Sequence, residues 1–281
     1  MTRIRALPPL VLIALVFIAL AVLFASFGSL IAQHPASQQN LFSRMQPPLG
    51  FGGTTEFLLG TDRLGRDLVA RLADGLRISL VVAVTGTVLG ALLGCTLGFI
   101  AAHFRGWVDE FVMMLVDVQA SLPFILIALT LLAFFGNSFF LFVMLMTLYG
   151  WESYARLARG VVLSATSQPY AEAVTTLGAT PLRLYLRHIL PNVASVLIVQ
   201  VTLNFPQIIL LESALSFLGL GIQPPLTSLG QIMGDGRDYL STAWWISVVP
   251  GSIIFLLTLA MSILGDWLRD RLDPSLSRAA F

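Results

Sequence analysis

The sequence predicts an all-α integral membrane protein with six transmembrane helices, on three observations. Hydrophobic residues make up 57% of the 281 and charged residues only 11%, where a soluble domain carries about 25% charge. Apolar runs recur that are long enough to cross a hydrocarbon core of about 30 Å, which takes about 20 helical residues. Between them lie short stretches rich in Pro, Gly, Gln and Arg, the composition of turns and extramembrane loops.

The same composition excludes several functions. A formal net charge of +1 with no basic cluster interleaved with aromatics offers nothing to nucleic acid. All 16 cationic side chains are arginine, so no phosphate-loop lysine exists and no ATP site of that kind can be built within the chain. Any energy drawn from ATP must come from a partner. Cys95 is the single cysteine and sits in an apolar run, where packing is its role and no internal disulfide is possible. His34, His103 and His188 lie in separate segments, without the helical His/Glu pair or serine-lysine dyad of an intramembrane enzyme. No catalytic, cofactor-binding or metal-ligating residues are expected.

Arg3 and Arg5 precede the first run, residues 7–31, which is too long for the 7–15-residue apolar region of a signal peptide and reads as a retained anchor. Residues 33–57 form a polar excursion. In residues 58–80 Leu64, Leu68 and Leu72 recur every fourth position among Arg66, Asp67, Arg71 and Asp74. This spacing predicts an amphipathic helix on the membrane surface with an Asp67–Arg71 ion pair. Residues 1–75 are thus expected to hold the anchor, an outer loop and the interfacial helix, and residues 76–281 a five-span core.

The second span, residues 76–102, carries Gly86, Gly90, Gly94 and Gly98 on one stripe, which lets two membrane helices approach backbone to backbone. A packing seam is the reading taken, with pore lining the alternative. The third span, residues 111–135, holds Asp117, either a functional ionisable group in the membrane or a shallow residue at the interface. After a turn at Gly136-Asn137-Ser138, the fourth span occupies residues 139–162. Its inner end carries Glu152, Arg156 and Arg159, spaced to pair with one another. The fifth, residues 193–215, places Gln200, Asn204 and Gln207 on one side of an apolar helix containing Pro206. Amides need partners in lipid, so this side lines a translocation path or bonds a neighbouring helix. The sixth covers residues 243–264. Six spans put both termini on one side, and the arginines divide ten inside to six outside, in the positive-inside sense.

Between the fourth and fifth spans lies a polar segment, residues 170–191, reading YAEAVTTLGATPLRLYLRHILP. Pro169 opens a first short helix, Gly178 ends it, and Thr180-Pro181 starts a second that Pro191 bounds. Leu182, Tyr185, Leu186 and Ile189 share one face and Arg183 and Arg187 another, which predicts a knob that is apolar toward its own domain and cationic outward. On these local features an ordinary helix-turn-helix serves as well as a docking element.

Glu172-Ala173, the glycine at Gly178 and the run His188-Ile189-Leu190-Pro191 resemble, in type and spacing, the cytoplasmic EAA loop of bacterial ABC importer permeases. Val174 stands where a second alanine is usual. The words GTDRLGRD (60–67), RISL (77–80), ESALSFLGLGIQPP (212–225), LGQIMGDGRDYL (229–240) and GDWLRDRLDP (265–274) are similar to the "C"-type permease subunit of the dipeptide, oligopeptide and nickel branch. One departure is Leu229, where tryptophan is common.

That resemblance implies a type I ABC importer permease fold in the bacterial inner membrane, with both termini cytoplasmic and with Glu172, Ala173, Gly178, Arg183, Arg187, Leu190 and Pro191 on a coupling helix that docks on an ATPase. It implies a "B"-type permease as heterodimer partner, two cytoplasmic ATPase subunits that bind ATP and Mg, and a periplasmic or lipid-anchored substrate-binding protein. Alternating access would carry di- or oligopeptides past Asp117, Gln200, Asn204 and Gln207, with nickel or an opine-type metallophore the alternative cargo. An ion-driven secondary transporter is the competing class. Such proteins place ionisable residues at the bilayer midplane and often contain inverted repeats, and this chain has few of the first and no visible repeat.

Overall fold

The computed structural model describes residues 7–272 and is built from helices, with no strand among them. Arg3 and Arg5 at one end, and Pro274 and Arg278 at the other, lie outside the described residues. In chain order the helices are α1 (Pro9–Phe27), α2 (Leu68–Phe104), α3 (Gly106–Ser121), α4 (Phe124–Phe135), α5 (Phe139–Leu148), α6 (Trp151–Thr166), α7 (Pro169–Thr176), α8 (Pro181–Leu184), α9 (Leu190–Phe217), α10 (Leu229–Asp235) and α11 (Trp245–Leu272).

Helix boundaries follow local chemistry. The Asp67 side chain accepts from the Val69 amide and starts α2, and Ser138 caps α5 by accepting from Leu141. Leu122 precedes Pro123 and is forced into extended geometry, because proline crowds an α-helical residue before it. The expected third span therefore divides into α3 and α4, bent by 87°. The expected fourth span is also two helices: Tyr149 is extended and Gly150 left-handed at φ +84°, so α5 stops and α6 restarts. By length and apolarity four helices can cross a membrane, Pro9–Leu30, Leu68–Phe104, Pro181–Phe217 and Trp245–Leu272, with a fifth span if the bent pair counts as one. Five of the six expected spans map onto these helices in order, the third of them in two pieces, while the fourth falls on α5 and α6, of 10 and 16 residues.

The largest correction concerns residues 58–80. No separate surface helix exists there. Residues 58–67 form a folded loop and α2 begins at Leu68, running without a break for 37 residues through the expected boundary at residue 75. Leu68 and Leu72 are fully buried in the main core. A four-residue leucine repeat marks a single apolar face, and that face here meets protein where a lipid surface was expected. Asp67 is occupied as the helix cap, so the expected Asp67–Arg71 pair does not form. Arg71 instead reaches Asp62 and Asp235.

Helix α2 is the axis of the bundle. Gly86, Gly90, Gly94 and Gly98 are all buried and face the broken pair α5–α6. A Cβ added at Gly86 would stand 3.0 Å from the Met146 Cβ, at Gly90 2.9 Å from the Thr147 carbonyl, at Gly94 2.6 Å from the Tyr154 Cβ and at Gly98 2.8 Å from the Ala158 Cβ. The stripe admits neighbouring backbone at distances no larger residue allows. It is occupied along its length by helix, and none of it faces an open channel within this chain.

Candidate functional site

The segment linking α6 to α9 protrudes from one end of the bundle. Pro169 occupies the first turn of α7, Gly178 takes φ +83° just after it with open space around its Cβ position, and Pro181 opens α8. From Tyr185 to Ile189 the chain makes a π turn, in which Leu190 donates to the Tyr185 carbonyl, and it continues directly into α9. Pro191 is therefore no boundary. Lacking an N–H and crowding the carbonyl four residues back, it is accommodated by a locally widened helix, so that the chain stays helical from Pro181 to Phe217 with a π turn between α8 and α9.

This turn also changes which side chains face inward. Ile189 is fully buried and Ala171 nearly so, both packed with Ala102 of α2 and with Ala158, Val162 and Ala165 of α6. Tyr185 packs at the margin of the same cluster. Leu182 and Leu186 do not. They are 70% and 58% exposed, and Leu177 is 87% exposed. The knob was expected to turn Leu182 and Leu186 toward its own domain. The inward side of the knob is supplied by Leu184, Tyr185 and Ile189; Leu186 lies within the π turn, where 3.6-residue spacing no longer holds, and Leu182 precedes it in α8. Glu172, Ala173, Leu190 and Pro191 are exposed as well. Exposed leucines together with one acid and two arginines are the composition of a protein-docking site.

Asp117 is exposed and accepts from Arg156 Nη2 at 2.7 Å. Arg159 pairs with Asp109, and the Gln119 amide donates to the Leu148 carbonyl at 2.6 Å and to Glu152 at 2.9 Å while accepting from the Trp151 indole. Glu152, Arg156 and Arg159 were expected to pair among themselves along α6. Each instead pairs across to α3, whose facing side supplies Asp109, Asp117 and Gln119. Gln119 thereby satisfies a carbonyl freed where α5 breaks.

The three amides of α9 separate. Asn204 is 3% exposed and lies against Gly150, where a Cβ would come 3.0 Å from its Oδ1. Gln200 is half-buried and Gln207 exposed, the latter accepting from the Tyr149 hydroxyl at 3.4 Å. Asn204 thus belongs to a helix contact at the α5–α6 break, and only Gln200 and Gln207 present surface.

At the opposite end, residues that lie within or beside the words GTDRLGRD and LGQIMGDGRDYL come together as a buried ionic cluster, a meeting the sequence reading did not foresee. Arg71, 2% exposed, donates to Asp62 at 2.6 Å and to Asp235 at 3.1 Å. Arg66 also bonds Asp62, whose second oxygen accepts from the amides of Leu64 and Arg66. The cluster floors a cavity of about 1240 Å³ with Arg63, Arg77 and Arg237 in its walls. Nearby, burial pushes the Asp67 carboxyl up while the Val69 and Ala70 amides draw it down. Glu212 is fully buried on α9 and is held by Ser79 at 2.9 Å and Ser216 at 2.8 Å. Ser79 in turn accepts from the Leu229 amide, so Leu229 is a buried anchor of α10. Glu212-Ser213…Ser216 was visible as an acid with hydroxyls one and four residues on; nothing local indicated that Ser79 would complete the set.

Residues 94–278 match the family model described as "Binding-protein-dependent transport system inner membrane component". The chain is 39% identical over 267 residues to the Di/tripeptide transport system permease protein DppC of Pseudomonas aeruginosa (strain UCBPP-PA14), covering 95% of this chain and 88% of that protein. It is 35% identical over 269 residues to the Oligopeptide transport system permease protein OppC of Bacillus subtilis (strain 168), covering 96% and 87%. Among solved structures it is similar to an inward-facing MetNI methionine ABC transporter, with a TM-score of 0.60 at 18% identity over 72% of this chain and 96% of that one.

Proposed function

This chain belongs to the family of binding-protein-dependent transport system inner membrane components, and from that premise we propose that it is a permease subunit of an ATP-driven ABC importer of di- or oligopeptides. The substrate class rests on two relatives whose names specify di/tripeptide and oligopeptide transport and which align with nearly the whole chain. The observation that carries the mechanism is the outward display of Leu177, Leu182 and Leu186 beside Glu172, Arg183 and Arg187, on a knob hinged at Gly178 and continuous with α9.

In this reading the knob lies in the cytoplasm with both termini. Two ATPase subunits bind ATP and Mg, and one of them receives the leucines of this chain. A "B"-type permease completes the membrane dimer, lipid covers the remaining apolar face, and an extracytoplasmic binding protein delivers peptide to the end that carries the arginine-lined cavity. This subunit is non-catalytic and opens alternately to the two sides. Displacement of a docked knob moves packed helices as rigid units, because cores switch between discrete arrangements in preference to deforming smoothly. Gln200 and Gln207 are the polar groups α9 offers to the path, and Asn204 fixes the helix that carries them.

The test is reconstitution of the complex in proteoliposomes with a labelled dipeptide. ATP-dependent uptake that needs the binding protein, and loss of ATPase-subunit retention on Leu182→Glu, are expected. Uptake driven by a proton or sodium gradient without ATP would refute the proposal, as would accessibility labelling that places residue 178 outside the cell.

A further inference from the structure

The knob is joined to α9 through the π turn at Tyr185–Ile189, and π turns are where helices bend. A lever with such a joint would lose its stroke there unless something spans the joint. One group does. Tyr185, the first residue of the turn, places its hydroxyl 3.1 Å from His103 Nδ1 near the end of α2. The two rings stand perpendicular with centroids 5.2 Å apart, and Phe99, one turn earlier on α2, meets Tyr185 edge-on at 6.0 Å.

Among the described residues this is the side-chain hydrogen bond that connects residues 169–191 to another long helix. The remaining side-chain bonds of the segment, Thr175 to Ala171, Thr176 to Glu172 and Asn192 to His188, stay within it or its immediate neighbour. What else holds the knob to α2 and α6 is apolar contact through Ala171, Leu184 and Ile189, with the Tyr185 ring. Such contact is non-directional and lets the knob roll or slide. A hydroxyl-to-imidazole bond is directional and fixes rotation about the helix axis.

We propose that Tyr185 and His103 are positioning residues for transport, forming a strut that bypasses the π turn and delivers the displacement of the knob into α2. This inference rests on the permease reading above. From His103 the route is the unbroken helix itself, along the glycine seam to Arg71 at the far end. With the strut in place, knob and α2 turn together; without it, the π turn absorbs the motion and ATP is hydrolysed with less peptide moved.

The test uses the complete complex in proteoliposomes and reads peptide imported per ATP hydrolysed. Tyr185→Phe keeps the ring and both edge contacts and removes only the hydroxyl. The ratio is expected to fall roughly threefold to tenfold, the range one neutral hydrogen bond is worth, with ATPase rate and ATPase-subunit retention unchanged. His103→Leu should lower the ratio to the same extent, and His103→Asn, which keeps a polar group near the Nδ1 position, should restore part of it. A wild-type ratio in both Tyr185→Phe and His103→Leu would overturn the proposal. So would a parallel fall in ATPase rate and subunit retention, which is the signature of lost assembly. A wild-type complex with no ATP-driven uptake would overturn the permease reading as well, and the two failures are thereby told apart.

Discussion

Arg71 donates through Nη2 to Asp235 Oδ2 at 3.1 Å across a sequence separation of 164 residues, and through Nη1 to the fully buried Asp62 at 2.6 Å. One guanidinium thus ties the loop before α2, α2 itself and α10 into a single block. Removing one member of a buried ionic set leaves an uncompensated charge and costs about 3–5 kcal/mol. Arg71→Leu is expected to lower the thermal midpoint of the purified complex by more than Arg63→Leu, whose partner contact is 3.5 Å and whose side chain is 47% exposed. Thermal unfolding followed by tryptophan fluorescence compares the two.

The glycine seam makes a prediction with an internal control. At Gly98 an added Cβ meets the Ala155 carbonyl and the Ala158 Cβ, while at Gly160, exposed within α6, it meets nothing within 4 Å. Gly98→Val should therefore cost at least the roughly 1–3 kcal/mol of an overpacked site. Gly160→Ala should be neutral or gain about 0.5–1 kcal/mol by restricting the unfolded chain. Yield of folded protein after detergent extraction separates them.

Gly150 and Asn204 should behave as a coupled pair. Gly150→Ala places a side chain at φ +84° against the Asn204 amide, adding left-handed backbone strain of about 1–2 kcal/mol to the overlap. Asn204→Ala removes the overlap but not the strain. The double variant is expected to be more stable than the sum of the single effects predicts, and a thermodynamic cycle that came out additive would show that the two do not touch in the working protein.

At the knob, Gly178→Ala is expected to slow ATP-driven uptake while leaving membrane insertion intact. The cause would be backbone geometry alone, since a methyl group there meets no neighbour within 4 Å. Leu182→Glu should act differently, lowering retention of the ATPase subunit in pull-down at least tenfold by burying a charge at the docking surface. A Leu182→Glu complex that kept its ATPase would remove the leucines from the interface.

Much of this architecture was legible because lipid imposes it: every long apolar run became helix, and Gly136 and Gly178 marked real ends, while Pro123 divided a run read as one span. Legibility failed where a local pattern has two solutions. Leucines every fourth residue describe a surface helix and a buried one equally, and only the remote partners Asp62 and Asp235 decided for Arg71. Tyr149-Gly150 broke a run whose composition is continuous, because φ rather than hydropathy ended the helix. On the knob Gly178 and Pro181 bound short helices as read, but Leu186 falls within a π turn that no residue type announces. Gln119 went unread because its role exists only beside the broken ends of α5 and α6.

At 37 residues α2 is about 55 Å long, nearly twice the thickness of a hydrocarbon core, and no proline lies within it. It is therefore a yardstick fixed in the molecule. A pair of spin labels near Arg77 and Phe104, both exposed on this one helix, should keep their separation throughout a transport cycle. Against that constant interval, distances from either label to the rest of the complex would report which parts have travelled.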